Sequence, residues 1–313
     1  MEICYNVSHI GIAVYPDTVF SLVRMSYYRI LGLECEPFST SPDPAFFYQS
    51  EKHRATLANL LIEFRLKRGL SVVLGDIGTG KTTLGRKLIQ MLKEREGFIV
   101  HLVLDPTYPS EDLFFNGLIR ALGIGVSVPA PTLVDYREGL ERYLFQKGVE
   151  ERQTVVLIID EAHKLNSLSL EALRILLNYE TNEVKLLQLV LMGQLELLSL
   201  MTGMPNLTDR VSYRCTLEPL ELAETRQMIW FRLREAGYRS RLALFTEDAV
   251  EAIHAESGGY PRRIAMLCHR ALRRLVMSRG DVVDGELVRS LVHDEMEAGW
   301  PQPKRLQRSN SSV

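Results

Sequence analysis

Residues 75–83 read Gly-Asp-Ile-Gly-Thr-Gly-Lys-Thr-Thr, and those types at that spacing suit the binding of a polyphosphate. Inside the run lies G-x-x-x-x-G-K-T, with Gly75, Gly80, Lys81 and Thr82 at the defining positions, which is the phosphate-binding P-loop pattern. Gly75, Gly78 and Gly80 let the backbone take conformations that a β-carbon penalises, so several N–H groups can point at one anion. Lys81 brings a cation to the β- and γ-phosphates, and the Thr82 hydroxyl can ligate Mg²⁺. A helix starting there favours negative charge at its N-terminus. The candidate nucleotide-binding set is therefore Gly75, Asp76, Ile77, Gly78, Thr79, Gly80, Lys81, Thr82 and Thr83. Such a pattern also arises by chance. Here residues 71–74 read as a buried strand before it, and residues 84–92 carry helical apolar spacing after it, which is the setting the chemistry requires.

Asp160 and Glu161 follow TVVLII, the most strand-like run in the chain. Asp160 would hold Mg²⁺ directly or through water. Glu161 would orient the attacking water and help to deprotonate it, the task that separates a nucleotide hydrolase from a nucleotide binder. An acidic loop at a strand end is the bland alternative. Gln194 ends the next apolar run and could touch the γ-phosphate or the lytic water; a turn-forming glutamine is its alternative. Arg210 or Arg214 could stabilise charge on the transferring phosphoryl group from a neighbouring subunit, which would require oligomerisation, or could serve an intrachain ion pair. In Gly258-Gly259-Tyr260-Pro261-Arg262-Arg263, proline suits a first helical turn, and Arg262 could reach back to the γ-phosphate or simply be solvated. The same helix carries Arg263, Arg270, Arg273, Arg274 and Arg279 with no acid between Gly258 and Gly280. That face could meet DNA phosphates, or pair with acids elsewhere in the chain.

These residues need a frame. Apolar runs at 71–74, 97–104, 154–159, 186–192 and 214–217 alternate with helical spacing at 110–122, 132–147 and 167–179. Strands apolar on both faces between helices predict an α/β fold with a parallel sheet. Ahead of it, residues 26–32 form a short turn ended by Gly32, and the prolines at 42 and 44 enforce extended geometry. Ser50 is suited to cap a helix bearing Leu57, Leu60, Leu61 and Phe64. Phe46, Phe47 and Tyr48 could cover a nucleotide base or join the core. The run 123–131, with two Gly and two Pro, reads as a loop. Past Pro219 no strand-like run returns, and helical spacing covers 223–236, 246–257, 261–278 and 285–298. The expected division is a nucleotide-binding domain with its lead-in at 25–218, a helical lid at 219–300 and a polar tail at 301–313. Residues 1–24 show no period and read as an extension ahead of Met25.

The chain has 313 residues, enough for one large domain or two ordinary ones, and its 46% hydrophobic and 24% charged content is that of a globular protein. A net charge of -2 argues against a generally basic nucleic-acid binder. Cys4, Cys35, Cys215 and Cys268 are scattered, which excludes a zinc framework by spacing and fits a reducing compartment. No apolar run approaches the roughly 18–20 residues of a membrane span, and the N-terminus lacks a leader pattern. A cytoplasmic protein without direct membrane insertion is expected, with any membrane association made through a partner.

In order, YYRILGLECEPFSTSPDPAFFYQSEKH, GDIGTGKTT, LIIDEAHKL, LMGQLEL, DRVSYRCTLEPL and SGGYPRRI make the chain resemble AAA+ ATPases of the ExeA/GspA (general secretion pathway protein A) type, across residues 27–296. The resemblance implies a P-loop αβα sandwich followed by a small all-helical lid, ATP with Mg²⁺ as ligands, and ring or filament assembly. It favours Arg210 over Arg214, because Leu207-Thr208-Asp209 before it resembles the finger-bearing helix end of ring ATPases. A stand-alone form is expected, without the membrane and peptidoglycan-binding parts of the secretion protein. The expected function is ATP hydrolysis driving a switch or motor on a protein partner in an envelope, secretion, pilus or exopolysaccharide system. The alternative is a DNA-binding ATPase that regulates a transposase. A nucleotide kinase shares the P-loop but fits poorly with a hydrolase-type acidic pair.

Overall fold

The computed structural model describes residues 26–125 and 129–298. The expected extension at 1–24, Cys4, part of the 123–131 loop and the tail at 301–313 lie outside the described residues. In chain order the structure forms α1 (Tyr27–Ile30), α2 (Glu51–Leu66), β1 (Leu70–Gly75), α3 (Lys81–Lys93), β2 (Phe98–Val103), α4 (Glu111–Leu122) and α5 (Leu133–Phe145). There follow β3 (Thr154–Ile159), α6 (Ser167–Leu176), β4 (Leu187–Gly193), α7 (Glu196–Thr202), α8 (Pro205–Thr208) and β5 (Val211–Leu217). Helices α9 (Leu222–Glu235), α10 (Glu247–Ser257), α11 (Pro261–Ser278) and α12 (Gly285–Glu297) complete the described chain. The starts of several helices are written locally. Ser50, Ser110, Thr132, Asn166, Thr246 and Asp284 each accept a backbone N–H from the first turn, satisfying donors that would otherwise be orphaned.

The five strands are all parallel and lie in the order β2-β3-β4-β1-β5. Side chains alternate across a strand, so each central strand feeds two cores. Leu70, Val72 and Leu74 of β1 pack on one face with residues of α4, α5 and α6. Val73 packs on the other with Leu60 and Phe64 of α2 and Leu84 and Leu88 of α3. The result is the expected αβα sandwich. Strand β2 departs from the expectation of a buried strand: it is half-buried through most of its length, because it lies at a sheet edge. Strand β5 forms the opposite edge and alternates exposed and covered residues. The short helix α7 had no sequence signal of its own, and α8 was expected only through the resemblance of residues 207–209 to a helix end.

The last four helices enclose a separate core that includes Ile229, Leu233, Ile253, Ile264, Cys268 and Leu272. This part is not wholly helical, since Phe245 and Val283 form an isolated parallel bridge. Leu33 and Phe38 from the lead-in are buried in that same core. The Glu34 N–H donates to the Ala236 carbonyl at 2.8 Å, and an Arg232 guanidinium N–H donates to the Ser39 carbonyl at 3.0 Å. The lead-in thus straps the C-terminal helices, a long-range pairing that its own composition does not reveal. The arginine-rich face of α11 is partly neutralised: Arg270 pairs with Glu295, and Arg274 with Asp294, both on α12. Among the described residues, no helix is long and apolar enough to cross a membrane.

Strand β3 is central and carries the acidic pair at its end, so its packing supports the site. Leu157 is 1% exposed and Leu242 is 77% exposed. Leu157→Ala is expected to cost about 2–5 kcal/mol of stability through lost burial and a residual cavity. Leu242→Ala should stay within about 0.5 kcal/mol. Urea titration of the two variants checks the contrast, and equal midpoints would be inconsistent with this core.

Candidate functional site

In a parallel sheet every strand points its C-terminal end to the same edge, where open α/β sheets bind their ligands. Strand β4 lies between β1 and β3. The loop leaving β1, the Asp160-Glu161 pair leaving β3 and Gln194 leaving β4 therefore emerge side by side. The loop turns into α3 through left-handed Gly78 and Gly80, at φ 87° and 101°. Gly75 is required for another reason. Its φ is ordinary, but a Cβ there would sit 2.7 Å from Thr79 Oγ1 and 2.9 Å from the Leu217 carbonyl oxygen. Thr79 is fully buried and its hydroxyl donates to the Asp76 carbonyl at 2.9 Å, so its side chain holds the loop from within.

Lys81 is 6% exposed, and its ammonium donates to the carbonyls of Gly75 at 2.6 Å and Asp76 at 2.9 Å. Burial pushes its pKa below the ordinary lysine value, against the opposing pull of Glu161, Asp160 and Asp76. The Thr82 hydroxyl donates to Asp160 Oδ2 at 2.6 Å, while Asp160 Oδ1 accepts the Glu161 N–H at 2.9 Å. Asp160 is 3% exposed, so these bonds fix a nearly buried carboxylate. Glu161 itself adopts a left-handed backbone at φ 51°, rare for a residue with a β-carbon and typical of functional turns. A cavity of about 440 Å³, within the range of small-ligand sites, is lined by Gly78, Lys81, Thr82, Glu161, Gln194 and Arg262. Ser39, Pro42, Phe46, Tyr48, Met228 and Arg232 line it as well. Phe47 also lines the cavity and is buried in the core beneath α3, while Phe46 and Tyr48 line the cavity and pack against the core of the C-terminal helices.

The C-terminal helices close one side of the loop directly. The Arg262 N–H donates to the Gly78 carbonyl at 3.3 Å, and the Tyr260 hydroxyl donates to Asp76 Oδ2 at 2.8 Å. Burial, the bond to Asp76 and that carboxylate's charge push the Tyr260 pKa up to about 12. On the opposite side, His53 of α2 is almost fully buried and bonds the Thr79 carbonyl through Nε2 at 3.0 Å. Its Nδ1 accepts the Ser50 N–H at 3.3 Å, so the ring is neutral with its proton on Nε2. Sequence reading missed His53, Tyr260 and Arg232 as site residues, because each meets the loop or cavity only through tertiary contact. Arg210 and Arg214 are not brought into this cavity. Arg210 follows the end of α8 near Glu171, whose carboxyl is held below its usual range by a bond from Arg174 with a smaller contribution from Arg210. Arg214 is exposed on the edge strand β5.

A P-loop on β1, an acidic pair on β3 and a five-stranded parallel sheet define a nucleotide-binding P-loop protein. Residues 65–201 match the AAA domain family. The chain is 35% identical over 255 residues to the General secretion pathway protein A of Aeromonas hydrophila, covering 79% of this chain and 44% of that protein. The chain thus spans less than half the length of that relative. Its fold is similar to that of Cdc6p from Pyrobaculum aerophilum, with a TM-score of 0.64 at 17% identity over 83% of this chain and 74% of that one. It is also similar to the Aeropyrum pernix ORC2 protein in its ADPNP-ADP complexes, with a TM-score of 0.60 at 18% identity over 80% and 70% of the two chains.

The buried His53 gives this loop a pH dependence. Burial lowers its folded pKa, so the unfolded chain, with a value of about 6.5, binds the proton more tightly than the folded chain. Its contribution is therefore complete above about pH 6.5 and is lost as pH falls below that toward the folded pKa. Half-buried His101 is shifted in the same direction and adds to the trend. Chemical denaturation between about pH 7 and pH 5 should show a shallower loss of stability in His53→Gln than in the wild type. Parallel profiles would contradict a ring held neutral beneath Thr79.

Proposed function

We propose that the chain binds ATP with Mg²⁺ and hydrolyses it to ADP and phosphate, as an oligomeric switch or motor acting on a protein partner. The observation that carries this reading is the 2.6 Å bond to the nearly buried Asp160 from Thr82, which lines the cavity together with Lys81 and Glu161. A hydroxyl and a carboxylate oxygen converging there are the hard donors that Mg²⁺ accepts, and that ion commonly takes few protein ligands, completing its shell with water and phosphate. Thr82 and Asp160 would hold it. When bound, it supplies positive charge to the β- and γ-phosphate oxygens.

The backbone of residues 75–83 cradles the phosphates, and Lys81, with two of its three N–H donors on loop carbonyls, has one left for the β- and γ-phosphates. Glu161 takes a proton from water as the water oxygen bonds to the γ-phosphorus and the bond to the bridging oxygen breaks. Gln194 and Arg262 contact the γ-phosphate, from the sheet and from the C-terminal helices respectively. On this reading residues 25–218 bind nucleotide and residues 219–300 act as the lid, with the base toward Phe46, Tyr48 and Met228. Arg210, or Arg214, serves the site of a neighbouring copy in a ring or filament. The likeness to a general secretion pathway protein A favours a cytoplasmic protein with an envelope, secretion, pilus or exopolysaccharide partner. A transposase-regulating role through the α11 arginines has less support, since Arg270 and Arg274 are engaged by acids of α12.

Glu161→Gln keeps the shape of the site and removes the base. Turnover is expected to fall about 10²–10⁴-fold. The nucleotide Kd should remain within about threefold, a difference below ~1 kcal/mol. Phosphate-release and equilibrium-binding assays on the same preparation decide it, and undiminished turnover would remove Glu161 from this role.

A further inference from the structure

His163 stands between the two polar residues to which the reading above gives the γ-phosphate end of the cavity, and that reading gives it no task. It lies in the 3-10 turn Ala162–Lys164 that follows left-handed Glu161. Gly193 lets the ends of β3 and β4 approach there, because a Cβ on it would sit 3.1 Å from the His163 backbone nitrogen. The Gln194 backbone N–H donates to His163 Nδ1 at 3.3 Å. A backbone N–H cannot accept, so Nδ1 is the acceptor, the ring is neutral and its proton is on Nε2. That Nε2 lies 2.9 Å from the Gln194 amide nitrogen Nε2 and 3.7 Å from Glu161 Oε2.

As placed, the Gln194 amide nitrogen faces His163 Nε2. Two N–H donors cannot face one another at 2.9 Å, and both nitrogens of one neutral ring cannot accept, so we assign the amide turned over, its oxygen accepting from His163 Nε2–H. Its NH₂ group is then turned away from the ring and is free to donate elsewhere. We infer that His163 is a positioning residue: it orients the Gln194 amide with its donor end available to a γ-phosphate oxygen, and keeps an N–H beside the Glu161 carboxylate. It acts through these two side chains and touches no reacting atom. The inference rests on the hydrolase reading proposed above and deepens it. It assigns to the histidine of Asp-Glu-Ala-His a link between strands β3 and β4 that the sequence motif does not disclose.

His163→Ala, His163→Gln, Gln194→Ala and the His163→Ala/Gln194→Ala double variant test the inference in the full chain. Misorientation of one γ-phosphate contact should lower kcat about 10- to 100-fold in His163→Ala, with KM for ATP little changed. His163→Gln restores an N–H near the position of Nε2 and should recover most of the loss. The preference for a non-hydrolysable triphosphate over ADP should weaken in His163→Ala, a binding readout that a merely structural role would leave alone. Because His163 works through Gln194, adding His163→Ala to Gln194→Ala should cost no more than about twofold further. Wild-type kcat and triphosphate preference in His163→Ala, or losses that multiply in the double variant, would overturn the inference while leaving the hydrolase reading standing. A wild-type chain that binds ATP without hydrolysing it overturns both, and that result is visible before any variant is made.

Discussion

A lysine ammonium almost removed from water must be met by oxygen, and much of this molecule is arranged around that demand. Lys81 meets it with the carbonyls of Gly75 and Asp76, which only a chain doubled back on itself can present. The doubling needs left-handed glycines at 78 and 80, and it needs Gly75 bare so that Thr79 and the Leu217 carbonyl can close in. Acidic charge nearby opposes the desolvation of Lys81, and it comes from Asp160 and Glu161 on another strand. The hydrogen bond from Thr82 to Asp160 then joins the first turn of α3 to the end of β3.

Sheet order turns these local facts into one site. Strand β4 sits between the strand that leads to the loop and the strand that ends in the acids. Gln194 is therefore delivered between them, and His163 can bond across to it. Had β3 and β1 been neighbours, with β4 at an edge, the same residues would exist without this juxtaposition. The C-terminal helices add the last side through Tyr260 and Arg262, which bond loop residues that are far away in sequence. The P-loop is thus gripped from α2 by His53, from below by the sheet and from the far helices by Tyr260.

What the sequence by itself determined was most of the elements and the placing of the two central motifs at strand ends. The run TVVLII could only be a covered strand, because its side chains are apolar on both faces, and α11 spans Pro261–Ser278 as its spacing predicts. Residues 75–83 and the acids at 160 and 161 stood out as candidates because phosphate binding and water activation demand particular side chains at fixed local spacing. Tertiary structure alone decided the remainder. Half-burial of β2 follows from its edge position, which local pattern does not encode. The docking of Leu33 and Phe38 on helices some two hundred residues later follows from packing. So do the grip of His53 and Tyr260 on the loop and the bridge from His163 to Gln194. Each of these pairs residues distant in the chain, or on different strands, by a contact whose partners carry no mark of one another in the sequence, since a buried histidine or tyrosine reads the same whether it packs, bonds a carbonyl or orients a catalytic amide.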